Sequence, residues 1–273
     1  MKEKILIFGL ITAVIGFNLF LFSNRVAIEN TQTSLIELET GSDLISMKVH
    51  KIFGNDIDLI FPMNKSFYYG RDLEILAFGD AMLDRGVRQY MDKYGIDYPF
   101  EKISADISQI ADENTFIFLN LEGPVLDRPR VLSGGLYFSF KPDAIDALKR
   151  AGFNIVNLAN NHTFNQRAKG FEETKQILDK KGVRHFGSPI KSTEKDVYIQ
   201  NFGGGTVAFI GYDDILSNID IDKAHALIEK MANENDYVIV SVHWGQEYKV
   251  KQNHHREELG HMFIDAGADA IIG

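Results

Sequence analysis

The chain has 273 residues, of which 45% are hydrophobic and 25% are charged. This balance excludes a wholly disordered protein, and the length allows a sizeable buried core. The chain contains no cysteine, which excludes a disulfide scaffold, a Cys-ligated zinc or iron–sulfur site and a cysteine nucleophile. Its net charge of -9 argues against a nucleic-acid-binding module, because phosphate backbones are bound by surplus Lys and Arg.

The N-terminus contains an apolar run from Ile5 to Phe22. As a helix this run would reach about 27 Å, close to the hydrocarbon thickness of a membrane. Lys2 and Lys4 precede it, which favours a cytoplasmic N-terminus. The alternative is a cleaved signal peptide, but no Ala-x-Ala pattern follows the run. We therefore predict a single-pass anchor in residues 1–25 of a cell-membrane protein, with the domain extracytoplasmic.

The rest of the chain changes character near residue 71. Residues 26–70 predict a stalk or linker, with a short helix or strand near Ile45 to Ile60. The predicted strands are Leu73–Phe78, Thr115–Leu121, Asn154–Leu158, Val197–Phe202, Thr206–Tyr212, Tyr237–Val242 and Ala270–Ile272, and the predicted helices are Pro142–Ala151, Lys169–Lys181, Ile221–Asn233 and His254–Ala266. This alternation predicts a layered α/β fold for residues 71–273, with mixed β-sheets flanked by helices.

Four of the predicted strands run directly into polar residues. The clusters are Gly79-Asp80, Glu122-Gly123-Pro124, Asn160-Asn161-His162 and His243-Trp244-Gly245. Ligand sites of open α/β sheets gather at the carboxyl ends of strands, so we expect these residues to meet on one edge of the sheet. Each cluster alone also fits a turn, a helix cap or a hydrogen-bonded structural histidine. Together, carboxylate, amide and imidazole groups suit a hard divalent metal such as Mn, Mg, Fe or Zn.

The same segments resemble the motifs of a known family. Residues 79–85 (GDAMLDR), 120–124 (NLEGP), 158–162 (LANNH) and 241–248 (SVHWGQEY) are similar to those of the CapA family of poly-γ-glutamate capsule biosynthesis proteins. The resemblance extends from residue 73 to residue 273 in the same order. It implies a fold similar to that of the calcineurin-like metallophosphoesterases, and many members carry an N-terminal anchor.

The resemblance implies roles for six residues. Asp80, Glu122, Asn161 and His243 would bind the metal, His162 would contact the substrate and donate a proton or hold an oxyanion, and Arg85 would bind an anionic group. The implied chemistry is metal-assisted attack of water on a phosphorus or acyl centre.

Three departures from the family pattern limit this chemistry. The phosphoesterase relatives have a histidine where this chain has Met82, a poor ligand for a hard ion. Asp84 replaces a small residue before Arg85. The resemblance also implies a Gly-His-x-His type segment directly after Gly273, so the chain is similar to a C-terminally truncated member. We therefore expect this chain to bind a divalent ion weakly and to hydrolyse phosphodiesters poorly or not at all.

Three functions stay open at this point. The first is a membrane-anchored capsule protein with a metallophosphatase-like domain, acting in synthesis, export or attachment of poly-γ-glutamate or a related anionic polymer. Its implied partners are the membrane, the polymer and other membrane capsule-synthesis proteins. The second is a metal-dependent phosphoesterase with a small substrate, and the third is a non-catalytic subunit that binds the polymer or a partner protein. Met82 and the implied truncation favour the third over the second.

Overall fold

The computed structural model describes residues 34–40, 44–51, 57–62, 73–112, 115–128, 137–203, 205–216, 218–245 and 254–273. The chain divides into two compact units, Met1–Tyr68 and Tyr69–Gly273. The predicted anchor at 5–22 lies outside the described residues. Within the described part of the chain, no helix is long and apolar enough to cross a membrane.

The first unit contains a three-stranded antiparallel sheet. Its strands are β1 (Ser34–Thr40), β2 (Leu44–Lys51) and β3 (Ile57–Pro62), hydrogen-bonded in that order. The sequence analysis predicted a stalk here with one short element. In the sequence, apolar and polar residues alternate through Ile45–His50, a period of two that favours half-buried strands.

The second unit contains two four-stranded sheets. The first sheet consists of β4 (Ile75–Ala81), β5 (Phe116–Leu121), β6 (Ile155–Asn157) and β7 (Arg184–Phe186), all parallel and in that order. The second consists of β8 (Tyr198–Phe202), β9 (Gly205–Asp213), β10 (Tyr237–His243) and β11 (Ala270–Ile272), in the order β11-β10-β9-β8. Strands β9, β10 and β11 are parallel, and β8 is antiparallel to β9. The hairpin that the sequence predicted at 197–212 is thus confirmed.

Six described helices accompany these sheets. Helices α1 (Arg85–Tyr94), α2 (Glu101–Ile110), α3 (Pro142–Arg150) and α4 (Arg167–Lys181) occur between the strands of the first sheet, and α5 (Ile221–Glu234) and α6 (His254–Asp265) follow β9 and β10. Helix α3 begins at Pro142, whose fixed φ and missing N–H suit a first helical turn. Helix α4 ends at Gly182, which has the left-handed φ of 67° common at helix C-termini.

The two sheets pack face to face through an apolar layer. Its buried residues come from both sheets: Phe116, Phe118, Ile155, Phe186, Val207, Phe209 and Ile239. The Phe209 ring lies 5.0 Å from the Phe116 ring and 5.5 Å from the Phe186 ring, measured between centroids. Because strands with apolar residues on both faces must be covered on both sides, helices pack on the outer faces of both sheets.

The resulting order of layers is helix, sheet, sheet, helix. The predicted mixed α/β class with β-sheets flanked by helices is therefore confirmed. The strands end at different residues from those predicted, by one to three positions at most of their termini.

Candidate functional site

His243 lies at the centre of the predicted site residues. Its Nδ1 is 3.6 Å from Asp80 Oδ1, and its Nε2 is 3.8 Å from Glu122 Oε1 and 3.1 Å from Asn161 Oδ1. Asp80 lies on β4 just after an irregularity in the pairing with β5, which redirects the strand. The structure therefore brings the other three predicted metal ligands around the imidazole of the fourth, His243.

These residues come from two sheets rather than from one. Asp80, Glu122 and Asn161 lie at or just after the carboxyl ends of β4, β5 and β6, in the first sheet. His243 is the last residue of β10, in the second sheet. The expectation that all four lie on one edge of a single sheet was wrong, because the apolar runs separate into two facing sheets whose carboxyl ends meet.

Asn120, on β5, connects the two sides of the site. Its Nδ2 donates to Asp80 Oδ1 at 2.7 Å and contacts His243 Nδ1 at 3.2 Å. The orientation of this amide follows from Asn160, whose Oδ1 accepts the backbone N–H groups of His162 and Thr163. The Asn160 Nδ2 therefore faces Asn120, whose Oδ1 accepts it at 3.0 Å. The Asn120 Nδ2 must then face Asp80 and His243.

This amide network assigns the tautomer of neutral His243. Because Asn120 donates to Nδ1, the single ring proton is on Nε2, where it is donated to Asn161 Oδ1. Binding of a cation at Nε2 would require that proton to leave Nε2 or to move to Nδ1, next to the Asp80 carboxylate.

The carboxylates give the site an excess of negative charge. Burial alone would lower the pKa of His243, but Asp80, Glu122 and Asp213 outweigh burial, and the pKa of His243 is raised. The contact with His243 is also the main cause of the lowered pKa of Asp80, with the Asn120 hydrogen bond adding to it against burial. A site that favours positive charge in this way is suited to a cation.

His162 lies beside these residues, and its Nε2 faces Glu122. Its Nδ1 is 3.0 Å from Asn165 Oδ1, which also accepts the backbone N–H of Phe138 at 2.8 Å. Because an oxygen faces Nδ1, neutral His162 carries its proton there. Its Nε2 therefore has a free lone pair, 4.0 Å from Glu122 Oε1. Neutral His162 can accept a proton at Nε2, whereas donating one would require the imidazolium form.

Arg85 packs against Phe138, and Phe138 packs against His162. Its guanidinium carbon lies 5.0 Å from the centroid of Phe138, and the Phe138 ring lies 4.2 Å from the His162 ring. Arg85 has a φ of 52°, a left-handed conformation that costs a non-glycine residue energy and often occurs at functional sites. The Asp84 side chain stabilises this turn, because it accepts the backbone N–H groups of Arg85 and Ser139 at 2.7 and 3.0 Å.

Met82, a further departure from the family pattern, has a structural role. Its sulfur accepts the backbone N–H of Asp84 at 3.4 Å, and its side chain packs against the core on the helix side of the first sheet.

Two histidines of α6 differ in their surroundings. The His254 side chain is 83% exposed, but His255 Nε2 lies 3.1 Å from a carboxylate oxygen of Asp214, whose side chain is buried.

The donors on the Nε2 side of His243 fit a hard divalent ion in type and spacing. Ligand bonds of about 2.0–2.2 Å separate neighbouring ligands by about 3–4 Å, as found for His243 Nε2 with Asn161 and Glu122. Asp80 faces Nδ1 instead, so one ion cannot bind both carboxylates together with His243 in this arrangement. Among the described residues, no group of three or more His, Asp or Glu side chains could hold a metal by itself. The ligand roles stay predictions.

A small cavity lies next to the site. It has a volume of about 100 Å³ and is lined by Asp80, Asn120 and His243 together with Trp244 and the last residues of the described chain. The sequence analysis gave no role to Asn120, Asn160, Asn165, Phe138 or Asp213. The position of Asn120 two residues before Glu122 was the one sequence signal that pointed to it.

Comparison with known proteins identifies the family. The model of the family described as "Bacterial capsule synthesis protein PGA_cap" matches residues 74–273. The chain belongs to this family. The resemblance to CapA proteins is confirmed by two relatives: "Capsule biosynthesis protein CapA" of Bacillus anthracis is 30% identical over 224 residues, and "PGA biosynthesis protein CapA" of Bacillus subtilis (strain 168) is 26% identical over 226 residues.

The alignments cover a larger share of this chain than of the two relatives. The two alignments cover 74% and 75% of this chain but 53% and 58% of the relatives. The chain thus spans about half the length of the curated relatives that it matches. A solved structure of a hypothetical protein from Thermus thermophilus is also similar, with a TM-score of 0.45 and 19% identity, covering 72% of this chain and 65% of that chain.

Proposed function

We propose that this protein is a membrane-anchored capsule biosynthesis protein whose site at His243 binds a divalent cation and acts on an anionic polymer such as poly-γ-glutamate. Its role would be in synthesis, export or attachment of the polymer, together with other membrane capsule-synthesis proteins. Membership of the capsule synthesis family supports the biological role. The observation that supports the chemistry is the position of His243 between the carboxylates of Asp80 and Glu122.

The residues of the site have distinct parts in this proposal. Glu122, Asn161 and His243 would hold the cation, and Asp80 would orient His243 from the Nδ1 side. A bound divalent ion would supply polarisation of a target oxygen and neutralisation of negative charge. His162 accepts a proton at Nε2 in its neutral form, and Arg85, beside Phe138, offers a positive charge to an anionic group.

A metal-dependent phosphoesterase with a small substrate is the second candidate. The free lone pair of His162 next to Glu122 favours it, since this nitrogen can take a proton during attack by water. A non-catalytic polymer-binding subunit would need only the cation and Arg85.

The first test measures cation binding, hydrolysis and polymer binding with the full chain. We expect calorimetry to detect Mn²⁺ binding in the wild type and a loss of at least about tenfold in affinity in Asp80→Asn, because second-sphere partners of metal-bound histidines typically contribute 10–100-fold. Turnover of bis(p-nitrophenyl) phosphate that the variant loses would support a hydrolase. Mn²⁺-dependent binding of poly-γ-glutamate without turnover would support a binding subunit. A wild type that binds no Mn²⁺ would contradict the proposed function.

The second test concerns the anchor. Protease added to intact cells that express the full chain should degrade the domain and leave a small membrane-bound fragment, because the apolar run at 5–22 follows two lysines and lacks a cleavage pattern. Cells opened before protease treatment provide the control for protease activity. A soluble mature protein that begins near residue 26 would overturn the anchor.

A further inference from the structure

Asp213 has a buried carboxylate oxygen that none of the described residues satisfies. It is the last residue of β9, and the residue is 5% exposed. Its Oδ1 accepts the backbone N–H groups of Ile215 at 2.9 Å and Leu216 at 3.4 Å. Its Oδ2 is buried and, in the described chain, has no hydrogen-bond partner. An unsatisfied buried group of this kind destabilises the fold, so its presence calls for an explanation.

The position of Asp213 on β9 directs it towards the site. Val207 and Phe209 belong to the apolar layer between the sheets, and a side chain at Gly211 would meet Asn157 of the first sheet. Because side chains alternate along a strand, Asp213 lies on this same face, at its carboxyl end. The strand register pairs Asp213 with His243 on β10.

We propose that Asp213 is a further acidic group of the cation site, with its Oδ2 facing the ion-binding space on the Nε2 side of His243. This inference rests on the proposed cation-binding function. The first sheet supplies Glu122 and Asn161 to that space, and the second sheet supplies His243 and Asp213. Glu122, His243 and Asp213 do not by themselves form a group that could hold a metal in the described residues, so Asp213 would contribute its charge to the site. With Asp213 included, this side contains two carboxylates, whose charge of -2 matches that of a divalent cation.

The charge of Asp213 acts on His243, as its register position beside His243 implies. Its negative charge contributes to the raised pKa of His243. Burial is the main cause of the raised pKa of Asp213 itself, against the hydrogen bonds from the following backbone. A carboxylate that is destabilised in the ion-free protein gains more from a bound cation than a solvated carboxylate does.

The adjacent residue provides a matched control. Asp214 is also an aspartate with a buried side chain, 7% exposed, but it pairs with His255 of α6 instead. The Asp214 backbone N–H donates to the His243 carbonyl, but its side chain pairs with His255. The change Asp214→Asn is therefore the same chemical change one position along the chain, on a side chain that has a different partner. Glu122→Gln serves as the reference for a ligand on the Nε2 side.

The experiment measures Mn²⁺ affinity by calorimetry and the melting temperature of the ion-free protein, with the full chain in each case. We expect Asp213→Asn to lower the Mn²⁺ affinity at least tenfold, as Glu122→Gln does, while Asp214→Asn stays within twofold of the wild type. We also expect the ion-free Asp213→Asn protein to melt no lower than the wild type, because Asn retains the Oδ1 acceptor and removes a buried charge.

Other outcomes overturn the inference in distinguishable ways. If Glu122→Gln loses Mn²⁺ and Asp213→Asn does not, the Asp213 inference is wrong and the proposed function stands. Equal losses in Asp213→Asn and Asp214→Asn, or a lower ion-free melting temperature for Asp213→Asn, would assign Asp213 a structural role. A wild type without Mn²⁺ binding would overturn both the inference and the proposed function.

Discussion

Replacing His243 by glutamine should lower the affinity for Mn²⁺ by at least about 100-fold, because this change removes the ligand that all the other donors surround. A hundredfold loss of affinity corresponds to about 3 kcal/mol of binding free energy. Asp80, Glu122 and Asn161 each lie within 3.8 Å of the imidazole, and glutamine offers neither nitrogen in the same place. Calorimetry with the full chain measures the loss directly.

The same variant should also show a pH-dependent change in stability without any metal. Because the pKa of His243 is raised, protonation of its ring is more favourable in the folded than in the unfolded chain, and protonation therefore stabilises the fold. That contribution is fully present below the unfolded pKa of about 6.5 and is lost as pH rises through the folded pKa. We therefore expect the free energy of unfolding of His243→Gln to fall further below that of the wild type at pH 5.5 than at pH 9.

An exposed histidine on α6 provides the control. None of the site contacts described above involves His261, so His261→Gln should retain Mn²⁺ affinity and the wild-type free energy of unfolding. Urea unfolding at the two pH values measures the difference. An equal loss of stability at both pH values would contradict the electrostatic coupling of His243 to Asp80 and Glu122.

Much of the site could be predicted from sequence because carboxyl ends of parallel strands converge. Asp80, Glu122 and His243 each follow or end an apolar run, and such runs identify buried strands without any knowledge of their pairing. The runs did not reveal which strands share a sheet. Phe116 and Phe209 are both buried strand residues in sequence terms, yet they pack against each other from opposite sheets.

The elements that sequence analysis missed have weak local patterns. Strand β7 has only three residues, Arg184–Phe186, too few to establish a period. Helix α1 fully buries Met91 and α2 fully buries Ile107, and each is preceded four residues earlier by one partly buried apolar residue, Val87 or Ile103. Each ten-residue helix therefore has only a short apolar stripe. Helix α2 also begins at Glu101 without a side-chain cap, which removes the usual signal for a helix start.

The roles of Asn120 and Asp213 could not be predicted from sequence, because they depend on neighbours in space. Asn120 lies between two leucines in a strand, and only the amide of Asn160 shows which way its own amide faces. In the sequence, Asp213 follows an apolar run and has the pattern of a strand end before a turn. Its Oδ2 is buried and has no hydrogen-bond partner among the described residues, which only the folded arrangement of the chain can show.

Replacing Gly211 by alanine should destabilise the protein by about 1–3 kcal/mol, the usual cost of overpacking a dense interior. A methyl group at Gly211 would overlap Asn157 Oδ1 and come within 2.9 Å of the Gly187 Cα atom and 3.1 Å of the Ala159 Cβ atom. The Gly187 contact is with backbone, so displacement of the Asn157 side chain alone would not make room for the methyl group. Urea unfolding of the full chain measures the loss.

The matched control for this change is Gly86→Ala. Gly86 lies in α1, and nothing lies within 4 Å of a methyl group added there. Since alanine is the better helix former, Gly86→Ala should be neutral or stabilise by up to about 1 kcal/mol. Equal losses in the two variants would show that the close approach of the sheets at Gly211 is not the cause.

The Gly211→Ala change should also alter the geometry of the site, because Asn157 lies between Gly211 and the site residue Asn120. The Asn157 Nδ2 donates to Asn120 Oδ1 at 3.3 Å, and Asn120 in turn orients Asp80 and His243. A displaced Asn157 would loosen this amide network, so we expect Mn²⁺ affinity to fall in Gly211→Ala under conditions where the variant is still folded. Gly86→Ala should retain the wild-type affinity. Wild-type Mn²⁺ affinity in folded Gly211→Ala would show that the packing between the sheets does not set the geometry of the site.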